Sequence, residues 1–60
     1  MNDIHVGQLV LFYLDHHPHS RGQGIIQNID NNMVLVELTT ECKEFAVGTT
    51  IVVMVDEIVG

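Results

Sequence analysis

A chain of sixty residues holds one domain, because at this length only about 60% of the surface exposed by the unfolded form can be buried and a second core does not fit. The apolar share of 47% is ordinary, but it is carried by Val, Ile and Leu, with two Phe, one Tyr and no Trp, a bias that favours strands. Two Lys plus Arg against eight Asp plus Glu give a formal net charge of −6, which repels phosphate backbones and argues against nonspecific nucleic-acid binding.

No apolar run reaches the roughly 18 residues of a membrane-spanning helix. Met1-Asn2-Asp3-Ile4-His5 has neither the basic start nor the apolar stretch of a signal peptide. Cys42 is the only cysteine, so no disulfide forms within the chain, and reducing surroundings fit best. The expectation is a soluble, cytoplasmic protein with no membrane contact.

Residues 6–14, Val-Gly-Gln-Leu-Val-Leu-Phe-Tyr-Leu, form a β-rich run that is short for a helix and is followed by Pro18, and they predict a first strand. Residues 15–23 are the most polar and turn-prone stretch, with Pro18, Gly22 and clustered histidines, and predict an exposed loop. Such a loop is the first place to look for function.

Residues 24–30 and 33–39 flank Asn31-Asn32, and Asn tolerates the positive φ of a tight hairpin turn. In the second arm Val34, Val36 and Leu38 share one face and are expected in the core, whereas Met33, Leu35 and Glu37 share the other. The first arm alternates less clearly, with Ile25, Gln27 and Ile29 against Ile26, Asn28 and Asp30.

Residues 40–44 read as a polar loop carrying Cys42, residues 45–47 as a short strand, and Gly48-Thr49-Thr50 as a turn. Residues 51–55, Ile-Val-Val-Met-Val, are apolar on both faces, the mark of a strand covered on both sides. Asp56-Glu57-Ile58 suggests a single helical turn.

Two of these strands carry more apolar surface than one small interior can take. Leu9, Leu11 and Tyr13 oppose Val10, Phe12 and Leu14, and Ile51, Val53 and Val55 oppose Val52 and Met54. Something outside the monomer is therefore expected to cover one face, in a homo-oligomer or with a permanent protein partner. The competing reading is that curling of the sheet and the short loops cover these side chains within the monomer. The candidate interface is Leu9, Leu11, Tyr13, Val53 and Val55, with loop contacts from Asp15, His16, His17, His19 and Arg21.

Asp15-His16-His17-Pro18-His19 is the one arrangement that resembles site chemistry, since imidazole is the commonest metal-binding side chain. Structural zinc sites, however, draw ligands from two separated spacings, and Cys42 has no Cys partner nearby. An exposed loop with incidental histidines is the favoured reading, and a metal site on His16, His17 and His19 the minor one. Protonation of all four histidines takes the net charge from −6 to −2, which motivates pH-dependent association as a further expectation.

Nothing else in the chain points to catalysis. Cys42 with a distant His is too common a pairing to identify a nucleophile, and Glu37, Glu41, Glu44, Asp56 and Glu57 are scattered in a chain with little interior. Arg21-Gly22-Gln23-Gly24 precedes a strand, whereas a phosphate-binding loop precedes a helix, so the glycines fit a tight loop exit and a bulge. Phe12, Tyr13 and Phe45 are too few for a nucleic-acid stacking platform.

The succession Val6-Gly7-Gln8-Leu9-Val10, then Gly22-Gln23-Gly24-Ile25-Ile26-Gln27-Asn28-Ile29, then Met33-Val34-Leu35-Val36-Glu37-Leu38 resembles SH3-like barrels of the KOW type. Residues 51–59 resemble the last strand and closing turn of such barrels. Many KOW-type domains contact ribosomal RNA or transcription machinery through basic loops, from which this chain departs with Arg21 and Lys43 as its only Lys or Arg. His16-His17-Pro18 and Arg21 are similar to a segment in the variable subunit of ferredoxin-thioredoxin reductase, a barrel that packs on its catalytic partner.

These readings converge on one all-β domain over residues 1–60, a five-stranded SH3-like barrel or strongly curled antiparallel sheet. The expected function is that of a non-catalytic protein-binding module, an accessory subunit or small regulator with no cofactor. A nucleic-acid-associated regulator of KOW type and a metal-binding protein are the two alternatives.

Overall fold

The computed structural model describes residues 4–14, 21–42 and 44–59. Strands β1 (Leu9–Tyr13), β2 (Arg21–Asp30), β3 (Met33–Leu38) and β4 (Thr50–Met54) pair in sequence order as one antiparallel sheet. A 3-10 turn, Val55–Glu57, follows β4. The chain then reaches the outer side of β1, where Ile58 bridges Phe12 and the Val59 N–H donates to the Leu11 carbonyl at 2.8 Å. Among the described residues no helix is long and apolar enough to cross a membrane.

Alternation along each strand sorts the side chains. Val10 and Phe12 of β1, Ile26 of β2, Val34, Val36 and Leu38 of β3 and Val53 of β4 turn inward, and with Cys42 and Ile58 they make the buried core. Ile4, Leu14, Ile29, Phe45, Ile51 and Val55 pack around it. The β2–β3 hairpin turns through Asn31 at φ 56°, the left-handed conformation that the Asn-Asn pair was expected to supply.

The weak alternation of β2 has a structural cause. Pairing steps from Ile26 opposite Val36 to Asn28 opposite Leu35, leaving Gln27 as the extra residue of a β-bulge. That shift places both Ile26 and Ile29 on the core side, although they are three apart in the sequence. The bulge therefore falls at Gln27 and not at the glycines. Gly22 and Gly24 serve close packing: a Cβ on Gly22 would lie 2.7 Å from Phe12 Cζ, and one on Gly24 would meet Val36 Cγ1 and the Glu37 carbonyl oxygen, the latter at 2.6 Å.

Several boundaries differ from the sequence expectations. β1 begins at Leu9, because Val6 and Gly7 form a turn with Gly7 at φ 91°. Arg21, Gly22 and Gln23 belong to β2, pairing with Tyr13, Phe12 and Leu11, so Arg21 is a strand residue and not a loop contact. Four strands form among the described residues where five were expected. Residues 45–47 make only an isolated bridge, Phe45 to Cys42, because reciprocal bonds of 2.9 and 3.1 Å tie those two residues together. Ala46 and Val47 then lead into a turn at Gly48, φ 92°, whose N–H returns to the Leu38 carbonyl.

Candidate functional site

The outer face of the sheet carries the side chains that the core leaves out. In the β3–β4 pair Met33 stands opposite Met54 and Leu35 opposite Val52. Directly opposed residues on one face lie within contact range, so the four form one apolar block. They are 48%, 41%, 36% and 53% exposed, respectively, which sets them apart from the fully enclosed inner residues. A shallow recess lined by Asn28, Asp30, Met33, Leu35 and Val52 adjoins the block on the β2 side. A second recess, lined by Asn32, Met54, Val55 and Asp56, lies at its far end.

The rim is polar and acidic. Gln27 Nε2 donates to Glu37 Oε1 at 3.0 Å, and Glu37 stands opposite Thr50. Beyond this polar strip the apolar character resumes on β1, where Leu9 opposite Ile25 and Leu11 opposite Gln23 are exposed on the same face. Val59, also exposed, sits beside Leu11 through its backbone bond.

Of the expected interface residues, Leu9 and Leu11 occupy this outer face, and Tyr13, half-buried, follows them at the same parity. Val53 does not. It points inward, 1% exposed and paired with Val34, because the inner set of β4 is the one in register with Val34 and Val36. Val55 lies beyond the strand in the 3-10 turn and packs against the core. Val53 is therefore not available to a partner, and Val55 is only partly so, lining the recess beside Met54. The outward residues of β4 are Thr50, Val52 and Met54, and the signal for the two apolar ones was Met33 and Leu35, already opposite in parity to the core set of β3.

Of the expected loop contacts only Arg21 is described, at the start of β2 opposite Tyr13; Asp15, His16, His17 and His19, and with them the metal alternative, lie outside the described residues, as does Lys43. Among the described residues no three His, Cys, Asp or Glu side chains come together. Cys42 is buried within the core beside Gly22 and Phe12. Glu57, 8% exposed, accepts from the Met54 N–H at 2.8 Å.

No protein-family model, curated protein or solved structure matches this chain. What the outer face can do follows from its own chemistry. It is an exposed apolar centre with a polar, acidic rim.

Proposed function

We propose that this chain is a non-catalytic protein-binding module, an accessory subunit or small regulator, that docks on a larger protein through the outer face of its sheet. One observation carries the reading: Met33, Leu35, Val52 and Met54 stand side by side on paired strands, exposed, while the opposite face already fills the core. Asp30, Glu37 and Asp56 flank the block or its recesses, so the partner that fits presents an apolar centre edged with Lys or Arg. Leu9 and Leu11, exposed on the same face, extend the contact.

The four-stranded sheet is not closed into a barrel, and the return of Ile58 to Phe12 accords with the strongly curled form of the expected fold. A cytoplasmic setting accords with one cysteine placed in the core.

Tagged wild type, Leu35→Lys and Val47→Lys chains incubated with native-host extract test the reading. Val47 is exposed in the turn before β4 and serves as the control. The expected result is a defined protein held by wild type and Val47→Lys and reduced at least about tenfold with Leu35→Lys, the loss typical of disrupting an interface centre. Equal recovery with folded Leu35→Lys would overturn it.

A further inference from the structure

The two recesses beside the apolar block of the outer face are built alike. The first, about 190 Å³, is lined by Asn28, Asp30, Met33, Leu35 and Val52, and the second, about 210 Å³, by Asn32, Met54, Val55 and Asp56. Each combines a carboxylate and a carboxamide with apolar side chains. Met33 lines the first and its cross-strand partner Met54 the second, so a single opposed pair separates them.

Their size suits a side chain and not a free small molecule, whose sites run to roughly 300–1,000 Å³. Their lining is also unlike a metal site. One carboxylate among apolar side chains is a poor oxygen cage, and among the described residues no three His, Cys, Asp or Glu side chains come together. What fits is a cationic head on a hydrocarbon stem. Lys and Arg lay their methylenes along apolar surface and keep the charge at its edge. In each recess Met, Leu or Val side chains receive the stem, and the carboxylate and the Asn carbonyl oxygen accept from the head.

Charge selects the same occupant. The chain carries a net charge of −6, and among the described residues neither Asp30 nor Asp56 forms an ion pair. Arg21, the one Lys or Arg among the described residues, begins β2, whereas Asp30 ends it. A second copy of this chain is repelled, and so is an anionic membrane or a nucleic acid. A basic segment is drawn by the field of the whole chain and then by the two local carboxylates.

We propose that the partner docks through a basic segment that seats an apolar side chain on the Met33–Met54 pair and a Lys or Arg side chain in each flanking recess, against Asp30 on one side and Asp56 on the other. This docking mode rests on the reading that a protein covers the outer face, and it adds the pattern that the partner must present: cation, apolar residue, cation.

Capped peptides in which one Leu is flanked on the same face by two Lys test it, at strand spacing (i and i±2) and at helix spacing (i and i±3 or i±4). Each has a matched peptide with Gln in place of Lys. Binding to the full chain is followed by NMR. At least one Lys peptide is expected to shift the amide signals of Asp30, Met33, Met54 and Asp56, with an affinity that falls as salt rises. Its Gln counterpart binds about fourfold or more weakly. Asp30→Asn and Asp56→Asn, both exposed and isosteric, each weaken the Lys peptide about two- to fivefold, the range for an exposed ion pair. Glu41→Gln, beyond the Leu38 end of β3, changes the net charge by the same single unit and leaves the affinity unchanged.

A set of Lys peptides that shifts none of those amides, equal affinity of Lys and Gln peptides, or equal losses in Glu41→Gln and the two Asp variants would each overturn the proposal. Leu35→Lys in the host-extract capture decides the docking reading separately. A partner lost with Leu35→Lys but held undiminished by Asp30→Asn and Asp56→Asn leaves the docking face standing and overturns the cationic recesses.

Discussion

Glu57 Oε1 accepts a hydrogen bond from the Met54 backbone N–H at 2.8 Å, so the last outward amide of β4 is satisfied by the residue that ends the following 3-10 turn. One carboxylate thus fixes the turn to the end of the strand.

Replacing Glu57 with Ala leaves that amide to water and vacates a nearly buried site, and thermal or urea unfolding is expected to show a loss of about 0.5–2 kcal/mol, the range for a lost cap. Glu57→Gln keeps an acceptor oxygen and costs less.

Gly22 and Gly24 are expected to resist substitution for reasons of space. Gly22→Ala drives a methyl into the enclosed Phe12 ring and toward Cys42 Sγ, and costs about 1–3 kcal/mol as overpacking. Gly24→Ala costs more, since one of its obstacles is the Glu37 carbonyl, a backbone group that moves only with the strand. Equal stability of Gly24→Ala and wild type in urea titration would contradict this close packing.

Adjacent residues of β4 are expected to behave in opposite ways. Val53→Asp places an unpaired carboxylate in the core, and the cost of several kcal/mol is a large part of what stabilises a domain this small, so circular dichroism should show an unfolded chain. Val52→Asp lies on the outer face and should stay folded, within about 0.5 kcal/mol of wild type, while losing partner capture. A folded Val53→Asp would place the core on the wrong side of the strand.

The β2–β3 hairpin was legible because Asn31-Asn32 sits between two β-rich runs and β3 alternates cleanly, with Val34, Val36 and Leu38 inside. β4 was legible as a strand but not in orientation. With Ile51, Val53 and Val55 as apolar as Val52 and Met54, only register with β3 decides which set is buried. The bulge at Gln27 was hidden for a related reason, since it changes parity within a run whose composition gives no mark of the step. Residues 45–47 have strand composition, but Phe45 closes a local ring with Cys42, a pairing that β propensity does not reveal.

Met33 and Met54 report directly on whether a partner covers the outer β3–β4 face. Both are exposed, and exposed methionines oxidise readily to sulfoxides. Oxidative footprinting should be run on the purified chain and on the complex isolated from native-host extract, with sulfoxide at each position read by mass spectrometry. Met33 and Met54 are expected both to label in the free chain and both to lose labelling in the complex. Equal labelling of the two in both states would contradict it.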